Sequence, residues 1–180
     1  MTLANIIRRA LIELGRSTDA QATEAWREKL TMFANDAVQD LCEYLELRRV
    51  DTVEAKDGKF LLSDLTHGCL KVIDVQQNGG AVSFTQSDTS ASVDVSSDGE
   101  ISVEYRYAPM EMKDDVDTPE VPEYLHRLIV SYVVFREHLT ADPTMQRRSD
   151  AFYQLYETGK RAARKDLGET NTFKIYNTGW

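Results

Sequence analysis

The 180-residue sequence has few of the residues that build disulfide frameworks or metal centres, with two cysteines and three histidines. Cys42 falls on a predicted helix and Cys69 on a predicted strand, which is too few for a disulfide scaffold. Buried free thiols fit a reducing cytosol. His126 and His138 fall more than three turns apart on one predicted helix, too far to share a metal ion. The sequence therefore predicts no disulfide framework and no metal cofactor.

Long apolar runs and positive charge are also scarce. The longest apolar run, Leu128–Phe135, is interrupted by Ser131 and is far shorter than the roughly 18 residues of a membrane span. The first residues show no basic region followed by a small-residue cleavage site, so we expect no secretory signal. The net charge is −9, whereas a surface that grips nucleic-acid phosphates is basic. An acidic lining would still suit a passage through which DNA slides, and ordinary acidic solubility explains the same composition equally well.

Catalytic motifs are not recognisable in the sequence. No serine, cysteine or threonine lies in a nucleophile motif, and no glycine-rich loop runs from a predicted strand into a predicted helix. Asp114, Asp115 and Asp117 lack the spacing of a calcium-binding loop. Glu104 with Asp114 or Asp115 could form the carboxylate pair of a hydrolase, and this alternative stays open. We expect a protein that is not an enzyme and carries no cofactor.

Apolar residues recur at helical spacing at both ends of the chain, which predicts four helices. The first two form a helical hairpin, and the third covers Val121–Leu139, beginning with Pro122 in its first turn. Val133 and Val134 widen the apolar stripe of the third helix, so we expect it to pack on two sides. The fourth begins near Asp142-Pro143 and ends at Gly168. Residues 1–47 and 121–167 are thus predicted to form a four-helix bundle domain.

The middle of the chain has the alternation and the turn signals of β-structure. Asp57-Gly58, Asn78-Gly79-Gly80 and Asp98-Gly99 each separate two short apolar segments, which predicts three hairpins. The predicted fold class is α+β, in which residues 48–108 form a small antiparallel β module inserted into the helical bundle. An acidic linker, residues 109–120, leads to the third helix, and an extended C-terminal tail follows the fourth.

The C-terminal tail, residues 168–180, is unusually apolar for a chain terminus. It carries four large anchors, which are Phe173, Ile175, Tyr176 and Trp180. Either the tail folds back on its own domain as an edge strand, or it docks on a neighbouring protein. We favour docking, because a short extended segment with spaced anchors suits strand addition or groove binding.

The end of the fourth predicted helix is basic, with Lys160, Arg161, Arg164 and Lys165. Such a cluster compensates the negative end of the helix dipole in most cases. The alternative is a nucleic-acid-binding module, or another interaction module, that uses this cluster. Steep salt dependence of DNA binding would identify that alternative.

The order of the predicted parts resembles the head-to-tail adaptor proteins of tailed bacteriophages, also called connector, head-completion or tail tubular A-like proteins. The shared order is a helix pair, an inserted β module, an acidic linker, a P-E-Y helix, a D-P junction, and a long final helix with a tail. The residues that carry the resemblance are Val121-Pro122-Glu123-Tyr124, Leu128-Ile129, Tyr132, Arg136, Asp142-Pro143, Phe152-Tyr153 and Tyr156.

This resemblance implies a ring of identical subunits, usually a dodecamer, fixed beneath the portal protein at the head-tail junction of the virion. DNA would pass through the ring without sequence-specific binding, and the β module would face the tail or nozzle protein. The four tail anchors, Phe173, Ile175, Tyr176 and Trp180, would dock on the portal. Val133, Val134 and Arg136 on the third helix are the candidates for contact between subunits.

Overall fold

The computed structural model describes residues 1–87, 90–141 and 146–170, with the backbone alone at 140–141, 146–148 and 168–170. The chain divides into two compact units: a helical unit, Met1–Leu45 with Glu111–Trp180, and a β unit, Glu46–Met110. The predicted linker 109–120 is thus divided between the two units at Glu111. Over the described residues, no helix combines the length and apolar character needed to span a bilayer.

The helical unit consists of α1 (Leu3–Glu13), α2 (Ala20–Leu45), α3 (His126–Ala141) and α4 (Gln146–Thr170). Thr2 caps α1 by accepting a hydrogen bond from the Asn5 amide, and Gly15 follows its end with a φ of 68°. Asp19 caps α2, since its Oδ1 accepts from the Ala22 amide at 2.7 Å. These local signals set both ends of α1 and the start of α2.

Helix α3 is the central element of the helical unit, because it packs against α1, α2 and α4. Its buried side includes Ile129, Val133 and Val134, all 0% exposed. A short 3₁₀ turn, Glu123–Leu125, precedes it. The predicted helix over Val121–Leu139 is therefore a 3₁₀ turn followed by an α-helix, and it packs on three helices.

The β unit contains two antiparallel sheets. One sheet has the order β1-β7-β3-β4, with β1 (Arg48–Ala55), β7 (Gly99–Ala108), β3 (Gly68–Gln77) and β4 (Gly80–Ala81). The other has the order β2-β6-β5, with β2 (Lys59–Leu61), β6 (Ser92–Val95) and β5 (Phe84–Gln86). Ile101, Val103, Tyr105 and Tyr107 alternate along β7 as buried residues, so β7 supplies much of the core of this unit.

The predicted fold class, a four-helix bundle with a small β module, is wrong. The described chain is α+β, with four helices and seven strands in two antiparallel sheets, so its β content is substantial. The helices also differ too much to form a matched bundle, since α1 has 11 residues and α2 has 26. The β unit has buried residues from both sheets, including Phe60, Val93 and Val103, and so has a core of its own.

The third predicted hairpin, at Asp98-Gly99, is also wrong. The strands on its two sides, β6 and β7, belong to different sheets. Asp98 instead ties neighbouring turns together, because its Oδ1 accepts from the Gly58 amide at 2.7 Å and its carbonyl accepts from Gln77 Nε2 at 2.8 Å. The Asn78-Gly79 turn does join paired strands, β3 and β4. Both of its residues have positive φ, as a type I′ turn requires.

Candidate interaction surfaces

An open cleft of about 560 Å³ lies between α1, α3 and α4 of the helical unit. Its apolar lining comes from Ile12, Val130, Phe152 and Leu155. Ile12 and Leu155 are 57% and 59% exposed, although both are large aliphatic residues on otherwise well-packed helices. We call this surface the helical groove. An exposed apolar concavity of this kind is typical of a site for a side chain of another segment.

Charged side chains of both signs surround the helical groove. Arg9 and Glu13 line it from α1, and Arg127 lines it from α3. Guanidinium groups at an apolar rim are well placed to stack on aromatic rings. The same chain shows this geometry elsewhere, since the guanidinium carbon of Arg16 lies 3.7 Å from the ring centroid of Trp26. The groove is thus suited to an aromatic anchor.

A buried polar cluster fixes α4 to α2. Lys160, on α4, is buried, and its Nζ donates to Asp40 Oδ2 at 2.7 Å and to Glu157 Oε1 at 3.1 Å. Tyr156 also donates its hydroxyl proton to Asp40 Oδ2. The Lys160 ammonium lies 4.7 Å from the ring centroid of Tyr44, which adds a cation–π contact. These contacts hold α4 against α2.

A second buried charge, Glu137 on α3, joins α3 to the α1–α2 connection and to α2. Its side chain is 1% exposed, and its carboxylate accepts from Arg16 at 3.1 Å and from Lys29 at 2.6 Å. Because both cations are only partly buried, they keep contact with water while neutralising the buried acid. This cluster holds the helices in position and contains no group that is placed to react.

The β unit contains a threonine, a histidine and an aspartate in one cluster, which calls for a test of nucleophilic catalysis. Thr66 donates its hydroxyl proton to Asp51 Oδ2 at 2.7 Å and lies 3.0 Å from His67 Nδ1. The hydroxyl must therefore accept from Nδ1–H, so His67 cannot act as the base for Thr66. Arg49 Nη1, at 3.5 Å, faces the other ring nitrogen. The direction of these hydrogen bonds fits a structural role.

The carboxylate of Asp51 is stabilised by the same cluster. Burial would raise its pKa, but hydrogen bonds from Tyr105 and Thr66 and the charge of Arg49 together lower the pKa of Asp51 below its usual value. Burial and the hydrogen bond to Asp51 raise the pKa of Tyr105. Asp51 thus remains an acceptor that ties β1 to β7 and to the loop before β3.

The predicted subunit-contact residues on α3 lie in the interior of the helical unit or are already engaged there. Val133 and Val134 have no exposed surface, so neither side chain is available to another chain. Arg136 Nη1 donates to Tyr132 Oη at 3.1 Å, and its guanidinium carbon lies 5.1 Å from the Phe33 ring centroid. The sequence predicted that α3 packs on two sides, whereas three helices pack against it. Val133 and Val134 are therefore buried inside the helical unit.

The other sequence-predicted residues fall into two groups. The tail anchors Phe173, Ile175, Tyr176 and Trp180 lie outside the described residues. In the basic cluster, Lys160 is buried and Arg161 pairs with Glu157 at 3.7 Å. Where residues are described, no group of three or more histidine, cysteine, aspartate or glutamate side chains is arranged to hold a metal ion.

Comparison with known proteins leaves the family of this chain open. No protein-family model matches the sequence, and no curated protein is significantly similar to it. The functional interpretation therefore depends on the residues and on the geometry described above.

Sequence reasoning missed the helical groove and the buried Glu137. A signal for the groove was present: Ile12 is a large aliphatic residue that falls off the buried stripe of α1, which contains Leu3, Ile7 and Leu11. Glu137 gave no comparable signal, because an acidic residue near the end of an amphipathic helix normally faces solvent. Its burial depends on Arg16 and Lys29, which are more than 100 residues away in sequence.

Proposed function

We propose that this chain is a structural head-to-tail adaptor of a tailed bacteriophage. It forms a homo-oligomeric ring, a dodecamer, beneath the portal protein, extends the DNA channel, and provides the attachment site for the tail or nozzle. In this proposal the chain is made in the host cytoplasm, functions in the virion, and performs no enzymatic step.

The observation that carries the proposal is the division of the chain into two units. The β unit is inserted between α2 and α3, and each unit has its own buried core. Two units that each have a core of their own suit a protein that must bind two different partners. The helical unit and the apolar tail are assigned to the portal side, and the β unit to the tail side.

Each unit has a surface that fits this division of roles. The helical unit offers the helical groove, and it also exposes Met32 on α2 and Leu139 on α3. The β unit has an open cleft of about 860 Å³ lined in part by Leu70, Val72 and Phe84. A ring requires two different surfaces on each subunit, because its interfaces are head-to-tail. Met32 and Leu139 replace Val133 and Val134 as the candidates for subunit contact.

The deciding experiment measures assembly on the portal ring encoded in the same genome. The full chain is mixed with purified portal ring, and the mass of the complex is measured by mass photometry. The proposal expects the ring to gain a fixed number of copies. Replacing all four anchors, Phe173, Ile175, Tyr176 and Trp180, by serine should abolish the gain. If the intact chain does not associate with the portal ring, the adaptor function is wrong.

A nucleic-acid-binding module remains the alternative function. The burial of Lys160 and the pairing of Arg161 with Glu157 leave a smaller basic surface at the end of α4 than the sequence predicted. Titration of a labelled DNA duplex at low salt tests this alternative. Binding that weakens steeply with salt would favour it over the adaptor function.

A further inference from the structure

We propose that in the free chain the C-terminal segment, residues 171–180, occupies the helical groove of its own helical unit. The groove would bind an aromatic side chain of this segment between α1, α3 and α4. This inference concerns the chain before it meets any partner, so it goes beyond the adaptor function and does not depend on it.

The first argument is the exposed apolar surface of the groove. Ile12 and Leu155 keep more than half of their surface exposed, and Phe152 completes the apolar lining from α4. Covering such side chains stabilises a structure by about 25 cal/mol for each Å² removed from water. A segment with several large apolar groups is the occupant that this surface fits best.

The second argument is reach. Leu155 precedes Thr170, the last residue of α4, by about four helical turns, which is about 22 Å of helix. The segment 171–180 spans up to about 33 Å when extended. A segment that turns back along α4 can therefore bring Trp180 to the groove. Because the segment is joined to the same helix, its effective concentration near the groove is in the millimolar range.

The third argument is chemical complementarity. The segment reads NTFKIYNTGW, with three aromatic residues and one charged residue, Lys174. Arg9 and Arg127 at the groove can stack on an aromatic ring, and Glu13 can pair with Lys174. An acidic segment could pair only with the arginines at the rim of the groove, and an uncharged aliphatic segment could pair with neither sign of charge. The rim, which carries both signs, therefore favours the aromatic, lysine-containing segment 171–180.

Fluorine NMR on the full chain labelled with 5-fluorotryptophan tests the proposal. The chain has two tryptophans, and the variant Trp180→Phe assigns the Trp180 signal. Leu155→Glu places a charge in the groove on an exposed helical position, and circular dichroism checks that the helices are kept. The matched control is Leu61→Glu, the same substitution at a similarly exposed position on β2. The expected result is a change of the Trp180 signal in Leu155→Glu and none in Leu61→Glu.

Two other outcomes overturn the proposal. If the Trp180 signal is the same in the parent chain and in Leu155→Glu, the groove does not hold the segment. If the signal changes with protein concentration over a hundredfold dilution, a second copy supplies the segment. A second groove variant, Ile12→Glu, repeats the test on α1. All these measurements use the isolated chain without portal. A result that overturns the groove proposal therefore does not decide the adaptor function, which the portal-binding experiment tests separately.

Discussion

Lys160 Nζ lies 2.7 Å from Asp40 Oδ2, and this contact joins α4 to α2 through a lysine that is only 7% exposed. Burial by itself would lower the pKa of Lys160, but the hydrogen bonds to Asp40 and Glu157 raise it above its usual value. The ammonium therefore stays charged at every pH near neutrality. A buried charge with two acidic partners is sensitive to the loss of either one.

Removing the charge of Asp40 should destabilise the helical unit. Asp40→Asn leaves Lys160 buried with Glu157 as its remaining acidic partner, and we expect a loss of about 2 kcal/mol in the free energy of unfolding. Guanidinium unfolding followed by circular dichroism measures it. Asp36→Asn is the matched control on α2, because Asp36 lies 3.8 Å from Arg136 at the surface. The control should lose no more than about 0.5 kcal/mol, and equal losses would contradict the prediction.

Alkaline pH should lower the free energy of unfolding through the ionisation of Tyr156. Burial, followed by the hydrogen bond to Asp40, raises the pKa of Tyr156 far above its usual value. An unfolded tyrosine loses its proton near pH ~10, so above that pH the native state binds more protons than the unfolded state does. The stabilisation that the protonated Tyr156 gives to the native state is therefore complete below pH ~10 and is lost as the pH rises further.

The test of this alkaline effect is the variant Tyr156→Phe. Its free energy of unfolding should fall less steeply between about pH 9 and 11 than that of the parent chain. Tyr153→Phe, at an exposed position of the same helix, should keep the parent slope. A parent-like slope in Tyr156→Phe would show that this hydroxyl is not the group responsible.

Mild acid should lower the free energy of unfolding because native His126 resists protonation. Burial lowers the pKa of His126, and the Met1 ammonium lowers it further. Its Nε2 donates to the Val121 carbonyl at 3.1 Å, while Nδ1 accepts from the Met1 amino group at 2.7 Å. Because the unfolded histidine takes up a proton near pH ~6.5 and the native one resists, stability is full above pH ~6.5 and declines as the pH falls below it.

The variant His126→Gln should flatten this decline. The side-chain amide keeps a donor toward the Val121 carbonyl but does not titrate. Free energies of unfolding measured at pH 7, 6 and 5 should therefore differ less in the variant than in the parent chain. If both fall equally over this range, the decline comes from other groups.

Gly159 allows α4 to approach α3 closely. A Cβ at Gly159 would lie 2.4 Å from Leu128 Cδ2, which is too close without movement of the leucine. Alanine raises helix propensity by about 1 kcal/mol, but overpacking costs about 1–3 kcal/mol. We expect Gly159→Ala to destabilise the chain by about 1 kcal/mol.

A double-mutant cycle isolates this contact. Leu128→Ala removes the side chain that a Cβ at position 159 would meet, so it should cost less in the Gly159→Ala background than in the parent chain. The expected coupling is about 1 kcal/mol. Additive effects would show that the Gly159 requirement comes from another source.

Local patterns predicted burial on β7 well but did not predict strand partners. The alternation of Ile101, Val103 and Tyr105 marks one buried face, and all three are buried. The partners of β7 are β1 and β3, because its hydrogen bonds go to strands that are distant in sequence. Period-two alternation contains no information on which strand lies alongside. For this reason the sequence predicted a hairpin at Asp98-Gly99, where the chain instead passes from one sheet to the other.

Helical periodicity had a similar limit on α3. Leu125, Ile129 and Leu139 recur at helical spacing, which predicts that all three are buried. Leu125 and Ile129 are buried, but Leu139 is 52% exposed and Glu137 is buried. The apolar stripe defines one face, whereas the burial of Glu137 is decided by Arg16 and Lys29 from elsewhere. The helical groove escaped prediction for the same reason, since three separate helices contribute its lining.

The pairing of β1 with β7 also bears on how the chain folds. Arg48, at the start of β1, is the register partner of Arg106 near the end of β7, so the inserted unit begins and ends on adjacent strands. Once these strands pair, about 20 residues, in place of about 80, remain between α2 and α3 outside the paired strands. The entropic cost of closing that connection falls by about 1 kcal/mol. Because every strand of the β unit precedes α3 and α4 in the sequence, we expect β1 and β7 to be able to pair before these two helices are synthesised.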